Sequence, residues 1–202
     1  MSLKTATLRE GFQSLLELFV DTYTGHRLVL VTTGGGGYLN LISTVPGSSR
    51  VFHSSFTPYA ESAAARYVGV DEDSVPKSVS EEMALLYRKA AIRDIIAEGK
   101  NPDEFTIIVI TAALMTTHWK KGTLHAYVTV GDRLFHVTFP AQTEDEYNAM
   151  MAADGLPLER VKQDLDLCLL AMREAGCNEL SDIPWVPNTA LSLEVKELYA
   201  TA

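Results

Sequence analysis

The chain has 202 residues, of which 47% are hydrophobic, with a net charge of -9 and an isoelectric point near 5.0. This length suits one domain, with or without an extension, and the hydrophobic content excludes wholesale disorder. The acidic balance argues against sequence-independent binding to nucleic acid or to an anionic membrane, which needs a basic face. An anionic small molecule is still possible, because local N–H groups and a few cations can bind it.

The first half of the chain alternates between helical and strand patterns. In chain order, the patterns predict a helix at 8–23, a buried strand at 28–32, a helix at 38–43, a half-buried strand at 51–58, a helix at 59–67 and a helix from Ser80 to Gly99. Ser80 is the predicted N-cap of the last of these helices, with acidic residues in the first turn behind it.

The second half is predicted to add an antiparallel pair to the sheet. In chain order it predicts a strand at 105–111, a hairpin of strands 123–130 and 134–139, helices at 144–151 and 158–175, and a final helix at 191–199. The hairpin turns at Gly131 and Asp132. The pattern predicts an α/β fold with three layers, α/β/α, and a mixed sheet. Residues 1–177 form the predicted domain, and 178–202 a helical extension packed on it.

Two cysteines, Cys168 and Cys177, lie close together near the end of a predicted helix. A continuous helix would separate them by about 13 Å, too far for a disulfide, so free thiols in a reducing compartment are predicted. No apolar run reaches the length of a membrane span, and the N-terminus lacks the apolar core of a signal peptide. We therefore expect a cytoplasmic protein.

The turn after the first strand is the most informative stretch, because four glycines (34–37) follow Thr32 and Thr33. A strand, a glycine turn and a helix start together aim backbone N–H groups at an anion. A Cβ would block both the positive-φ turn and the close approach of a ligand. The stretch matches neither the P-loop nor the dinucleotide fingerprint. An anion cradle and a tight turn without a ligand both fit this pattern.

Six short motifs follow one another along the chain, at 31–36 (Val-Thr-Thr-Gly-Gly-Gly), 46–49 (Pro-Gly-Ser-Ser), 59–64 leading to 67–70, 79–81 (Val-Ser-Glu), 110–113 and 121–124. Their order and spacing resemble the C-terminal domain of the CinA (competence-damage-inducible) family, whose bacterial members include nicotinamide mononucleotide deamidases. The resemblance covers about residues 8–175. It implies the fold of the CinA C-terminal domain.

The resemblance also implies a site. The family's deamidases are understood to use the serine of Glu-Ser-x-Thr-Gly-Gly as nucleophile, assisted by the tyrosine and lysine of Tyr-Ser-Asn-x-x-Lys. The matching positions are Thr32 and Tyr59, the implied catalytic residues, and Ala64, which replaces the lysine. The implied ligand-binding residues are Thr33, Gly34, Gly35, Gly36, Ser48, Ser49 and Thr111. No metal and no cofactor is implied.

The departures from the family pattern weaken the catalytic interpretation. Thr32 keeps a hydroxyl, but β-branching restricts its attack and the activating lysine is missing. Arg66 cannot act as a base, and His53 would do so only if its strand faced the pocket. The family's second glycine loop is replaced by 112–116 (Ala-Ala-Leu-Met-Thr), and the arginine after the last strand is absent from 139–143.

Three histidines raise the alternative of a metal site. His125 and His136 are predicted to share a face of the hairpin, but neither His118 nor another residue supplies a third ligand at clear spacing. We therefore do not predict a metal.

These observations favour a divergent CinA-like protein whose glycine-turn pocket binds a nucleotide or phosphorylated metabolite, with catalysis weakened or lost. An amidohydrolase acting on nicotinamide mononucleotide or a related amide through Thr32 is the second hypothesis, so enzymatic activity stays open. An oligomeric interaction module without a ligand is the third. The expected partners are a small molecule and further copies of the chain, with no nucleic acid and no membrane.

Overall fold

A computed structural model describes residues 3–153, 156–176 and 192–198 of the chain. In chain order its main elements are α1 (Leu3–Thr22), β1 (Arg27–Thr33), β2 (Phe52–Phe56), α2 (Glu61–Val68), α3 (Glu81–Ala97), β3 (Phe105–Ala113), β4 (His125–Val130), β5 (Arg133–Thr138), α4 (Glu144–Ala153), α5 (Leu156–Glu174) and β6 (Ser192–Glu197). Two 3-10 helices, Gly37–Thr44 and Ser48–Arg50, connect β1 to β2.

The strands form one mixed sheet in the order β2-β1-β3-β4-β5-β6. β1 pairs in parallel with β2 and β3, whereas β3, β4, β5 and β6 pair antiparallel with their successive neighbours. The predicted α/β fold with a mixed sheet is confirmed. The predicted hairpin is also confirmed, since His125 lies opposite Thr138 across the turn at Gly131 and Asp132.

Helices cover both faces of the sheet. Along β1, Leu28 and Leu30 point into the core shared with α1 and α5, whereas Val29 and Val31 point into the core shared with α2 and α3. This alternation follows from the two-residue period of a strand. β3 is buried on both faces, as its apolar sequence predicted. The structure therefore has the three predicted layers.

The helix starts and turns follow local signals. Ser80 caps α3 as predicted, because its hydroxyl accepts a hydrogen bond from the Met83 amide at 3.1 Å. The helix predicted at 38–43 is a 3-10 helix instead. The buried residues of this 3-10 helix are Leu39 and Ile42, and both pack in the α1/α5 core.

The predicted final helix at 191–199 is wrong. Residues Ser192–Glu197 form β6, which pairs with β5 and is linked to α3 by an ion pair between Lys196 and Glu81 at 2.6 Å. Their sequence alternates polar and apolar residues with Leu193 and Val195 on one face, which is the period of a strand. The extension predicted as helical at 178–202 therefore contains a strand, and its segments 178–191 and 199–202 lie outside the described residues.

The cysteine prediction is tested at one position. Cys168 is a free thiol, fully buried on α5, and burial raises its pKa. Cys177 lies outside the described residues. In the part of the chain that the structure describes, none of the helices combines the length and the apolar character needed to span a bilayer.

Candidate functional site

An open cavity of about 370 Å³ lies at the carboxyl end of β1, on the face covered by α1 and α5. It is lined by residues of the glycine turn, the 3-10 helix behind it, the exit of β2, the exit of β3 and α5: Thr32, Gly34, Gly35, Gly37, Tyr38, Asn40, Thr57, Tyr59, Leu114, Arg160, Val161 and Asp164. The glycine turn singled out in the sequence therefore borders an open cavity. Thr32, Tyr59, Gly34 and Gly35 are the predicted site residues that it brings together.

Thr32 is the last residue of β1 that points to the cavity side, and it is 1% exposed. Its hydroxyl accepts a hydrogen bond from the Asn40 amide nitrogen at 2.9 Å and lies 3.5 Å from the Thr57 hydroxyl. Among the described side chains it has no further hydrogen-bond partner. Neither Asn40 nor Thr57 is a base at neutral pH, so nothing in this contact set removes the hydroxyl proton.

Asp164 of α5 holds the glycine turn from the opposite side of the cavity. Its carboxylate accepts a hydrogen bond from the Gly36 amide, and the nearby amides of Gly37 and Tyr38 also favour its charged form. Burial raises the pKa of this carboxyl above its ordinary value, while the three amides and the nearby Arg160 oppose that rise. The amides that the sequence predicted as an anion cradle thus already bind an anionic side chain of the same chain.

Two neighbours of Asp164 on α5 fix the exit of β3 in the same way. The Arg160 guanidinium donates to the Met115 carbonyl at 2.7 Å and to the Gly34 carbonyl at 3.3 Å. The Gln163 side-chain oxygen accepts from the Met115 amide at 2.8 Å. One turn and a half of α5 therefore ties together the glycine turn and the segment that follows β3.

The glycine turn is packed tightly against β3. Gly34 and Gly36 have φ angles of 74° and 77°, which side chains rarely adopt. A Cβ at Gly34 would overlap the Ala112 carbonyl oxygen, and one at Gly36 would lie 2.7 Å from Ile110 Cδ1. These two positions need glycine for the turn and for the packing, with or without a ligand.

Five of the predicted ligand-binding residues do not line the cavity. Thr33 and Thr111 face the α2/α3 side of the sheet, and the Thr111 hydroxyl donates to the Ser78 carbonyl. Ser48 and Ser49 precede β2, so they lie at the amino end of β1, where Leu28 pairs with Phe52. Gly36 is buried beneath the turn and reaches the site only through its amide.

The other positions implied by the resemblance differ in whether they reach the cavity. Tyr59 stands at the mouth of the cavity, 69% exposed. Ala64, which replaces the family lysine, is buried on α2 in the core beneath β1. Leu114 lines the cavity wall without filling it, and Met115 is buried behind it. The cavity is therefore open.

His53 lies away from this cavity. It is near the amino end of β2, bonded to Glu98 at 3.1 Å and packed on Phe105 with ring centres 5.0 Å apart. Lys100 lowers the pKa of Glu98, with a smaller contribution from His53. His53 therefore has a structural role here, and it cannot serve as the base for Thr32.

The histidines of the hairpin share a face, as predicted. The rings of His125 and His136 lie 5.7 Å apart, and Tyr127 stacks on His136 at 4.6 Å. His136 also contacts Glu194 of β6 at 3.6 Å. Within residues 3–153, 156–176 and 192–198, no three histidine, cysteine, aspartate or glutamate side chains cluster as a metal site would require.

The sequence did not predict the cavity residues Asp164, Arg160, Asn40 and Thr57. A signal for Asp164 was present, since it lies on the same helical stripe as Val161, Leu165 and Cys168, which are apolar or buried. An acidic residue on the apolar stripe of an amphipathic helix requires a buried partner. The sequence does not name that partner.

Comparison with known proteins finds one family. Residues 16–98 match the family described as the CinA C-terminal domain. Among curated proteins, none matches the sequence of this chain. Solved structures similar to this chain include the competence/damage inducible protein CihA from Agrobacterium tumefaciens, at 17% identity and a TM-score of 0.49, covering 86% of this chain and 99% of that chain.

Two enterobacterial structures described as CinA superfamily proteins are similar in the same way. The protein from Enterobacter cloacae is 17% identical, with a TM-score of 0.48, and the match covers 86% of this chain and 94% of that chain. The protein from Escherichia coli is 16% identical, with a TM-score of 0.44 and coverage of 82% and 92%.

Proposed function

We propose, from the premise that this chain is a CinA-like protein through residues 16–98, that its cavity binds a nucleotide or another phosphorylated metabolite without efficient catalysis. The observation that carries this proposal is the environment of Thr32. Its hydroxyl lines an open cavity but contacts an amide and a second hydroxyl, and no base, in the described part of the chain. A hydroxyl near its free pKa is a weak nucleophile.

The cavity itself supports binding of a small polar molecule. Its volume of about 370 Å³ falls in the range of small-molecule sites, and its lining mixes apolar walls with a few converging polar groups. Tyr59 at the mouth offers a ring face on which a flat base or ring can pack. The carbonyl oxygen of the Asn40 side chain is buried there without a partner among the described residues.

A thermal-shift experiment tests the binding proposal. Nicotinamide mononucleotide, adenosine monophosphate, ribose 5-phosphate and the matching nucleosides are each added to the protein. A ligand that binds the folded state raises its Tm in a concentration-dependent way. We expect at least one member of this panel to raise the Tm.

A blocking variant shows whether the ligand occupies this cavity. Gly37 is exposed at the cavity wall, and a Cβ there meets only the Asp164 carboxylate at 3.5 Å, so Gly37→Phe places a ring in the cavity. Gly11→Phe is the matched control, because a Cβ at Gly11 meets nothing within 4 Å. The ligand is expected to stabilise the Gly11→Phe protein but not the Gly37→Phe protein. Equal stabilisation of both would place binding elsewhere.

Amide hydrolysis is the second candidate function, favoured by the position of Thr32 on the wall of an open cavity. Such a reaction would use water to convert the carboxamide of nicotinamide mononucleotide to a carboxylate and ammonia. We expect ammonia release by the unmodified protein to equal release by Thr32→Ala. Faster release that Thr32→Ala abolishes would replace the binding proposal with the enzymatic one.

The proposed partners also include further copies of the chain. Light scattering of the purified protein measures its mass against 22.2 kDa for one chain. A monomer at micromolar concentration would exclude a stable homo-oligomer.

A further inference from the structure

The glycine turn has the geometry of an anion site, and the chain supplies the anion. The amides of Gly36, Gly37 and Tyr38 are successive N–H groups at the start of a 3-10 helix. The Gly36 amide donates to the Asp164 carboxylate, and all three amides favour its charged form. Successive backbone N–H groups of this kind hold phosphate in other proteins. Asp164 therefore occupies the position that the phosphate of a ligand would take.

The charges around the turn also disfavour a phosphate at this position. Asp164 is 9% exposed, so its negative charge is only weakly screened. Arg160 is the cation on the described cavity wall, and its guanidinium is directed at the carbonyls of Met115 and Gly34. A phosphate placed at the turn would meet a carboxylate at hydrogen-bond distance from the same amides.

The cavity lining includes acceptors as well as donors. The Asp164 carboxylate has a second oxygen beside Gly37, and the Asn40 side-chain oxygen is buried without a partner in the described part of the chain. Buried acceptors are stabilised by donors, and a ligand can supply them through a carboxamide, an amino group or a ring N–H.

Building on the proposed function, we infer that Asp164 is the specificity-determining residue of the cavity. It excludes phosphate from the glycine turn and selects a ligand that presents an N–H donor to the Asp164 carboxylate. A phosphorylated ligand then binds with its base or amide inside, and its phosphate directed away from the turn.

Inorganic phosphate is the probe that tests this inference. Its binding is measured by calorimetry and by the amide resonances of the turn. Asp164→Ala frees the three amides and removes the charge, so phosphate affinity is expected to rise about tenfold or more, the ratio that one charge-assisted hydrogen bond supplies. Glu10→Ala is the matched control. Glu10 borders the open groove beside Asp164, so this variant also removes a nearby negative charge but frees no amide of the turn.

The outcomes separate exclusion of phosphate by Asp164 from a general effect of removing a negative charge. Phosphate binding gained by Asp164→Ala and not by Glu10→Ala supports the inference. Equal gains in both variants, or no gain in a folded Asp164→Ala, overturn it. If Asp164→Ala does not fold, the unmodified protein gives the answer. Saturable shifts of the Gly36 and Gly37 amide resonances with phosphate at neutral pH would overturn the inference, and their absence supports it.

The relative affinities for a nucleoside and for the corresponding nucleotide give an independent test of this inference. The unmodified protein is expected to bind a nucleoside bearing a carboxamide about as tightly as the corresponding nucleotide, because the phosphate gains nothing at the turn. A nucleotide preference of more than about tenfold would contradict this. If the protein binds no nucleoside or nucleotide but Asp164→Ala gains phosphate, the proposed function fails while the exclusion of phosphate by Asp164 stands.

Discussion

The two faces of the sheet differ in the polar groups that they bury. On the α2/α3 face the buried polar side chains are threonines on the strands, Thr33, Thr111 and Thr129. The α1/α5 face buries Thr32 together with Gln163 and Asp164, and the last two bond to backbone groups of the segments that surround the cavity.

One strand can therefore border a cavity on one face and a closed core on the other. Thr32 and Thr33 are neighbours in sequence, yet their side chains point to opposite faces because a strand has a two-residue period. The face that carries the cavity is also the face on which a helix contributes charged and amide side chains. The other face is assembled mainly from apolar contacts, with threonines as its buried polar side chains on the strands.

Core truncation is expected to have the largest effect and to be similar on both faces. Met83 on α3 and Met172 on α5 are both fully buried. Each change to alanine is expected to lower the free energy of unfolding by about 2–5 kcal/mol, because it removes buried apolar contact and leaves a cavity. Chemical denaturation measures both. A much smaller loss for Met172→Ala would show that the cavity face is loosely packed.

Two matched threonine variants test the contrast across β1. Thr32→Val removes the acceptor of the Asn40 amide and is expected to cost about 1 kcal/mol of stability. Thr33→Val is expected to change stability by less than about 0.5 kcal/mol, since its hydroxyl makes no hydrogen bond within the described residues. Ligand affinity is expected to fall for Thr32→Val alone. Equal effects on stability and affinity would remove the distinction between the faces.

The charge of Asp164 gives the cavity face a pH dependence in the acidic range. Its pKa in the folded protein lies above 3.8, mainly because of burial. The unfolded chain therefore ionises first as the pH rises, and the folded protein loses stability between the two pKa values. In Asp164→Asn this loss is absent. The stability of Asp164→Asn relative to the unmodified protein is expected to rise over that pH interval and then to level off.

Denaturation at a series of pH values measures this difference. The charged and titratable groups near Asp164 are Arg160, Asp166 and Cys168 on α5, with Glu10 on α1 beside the adjoining groove. They are present in both proteins, so taking the difference between the two proteins removes most of their contribution. If the stability of Asp164→Asn relative to the unmodified protein falls as the pH rises, the pKa of Asp164 in the folded protein is not raised.

The smallest effect is expected at His53. It lies at the amino end of β2 and is paired with Glu98 on the surface, far from the cavity wall. His53→Ala is therefore expected to leave ligand affinity unchanged, which isothermal titration measures. A loss of affinity would mean that the amino end of the sheet communicates with the site.

The sequence predicted those parts of the fold that depend on local pattern. β3 follows from an apolar, β-branched run, the start of α3 follows from the Ser80 cap, and the hairpin follows from Gly131 and Asp132 between alternating segments. β6 was mistaken for a helix because Leu191, Val195 and Leu198 also recur in the sequence at helical spacing. The difference was decided by a partner strand, β5, which is remote in sequence.

The turn singled out in the sequence borders the cavity, but several residues of the cavity lining were not predicted. Thr32 and the glycines were identified because the motif and the site coincide along the chain. Asp164 was missed because its contact with Gly36 joins residues that are 128 positions apart, and no local pattern encodes such a pairing. Ser48 and Ser49 were wrongly expected at the site because similarity of motif spacing does not reveal the end of the strand at which a residue lies.

The packing of the glycine turn changes how relatives of this chain should be compared. Gly34 and Gly36 are required by the approach of the turn to Ala112 and Ile110, so any chain with this fold has a reason to keep them whatever it binds. Their presence in a relative reports shared architecture. The side chain at the position of Asp164 reports whether the turn is open to a phosphate, and it is the better character by which to divide such relatives into functional groups.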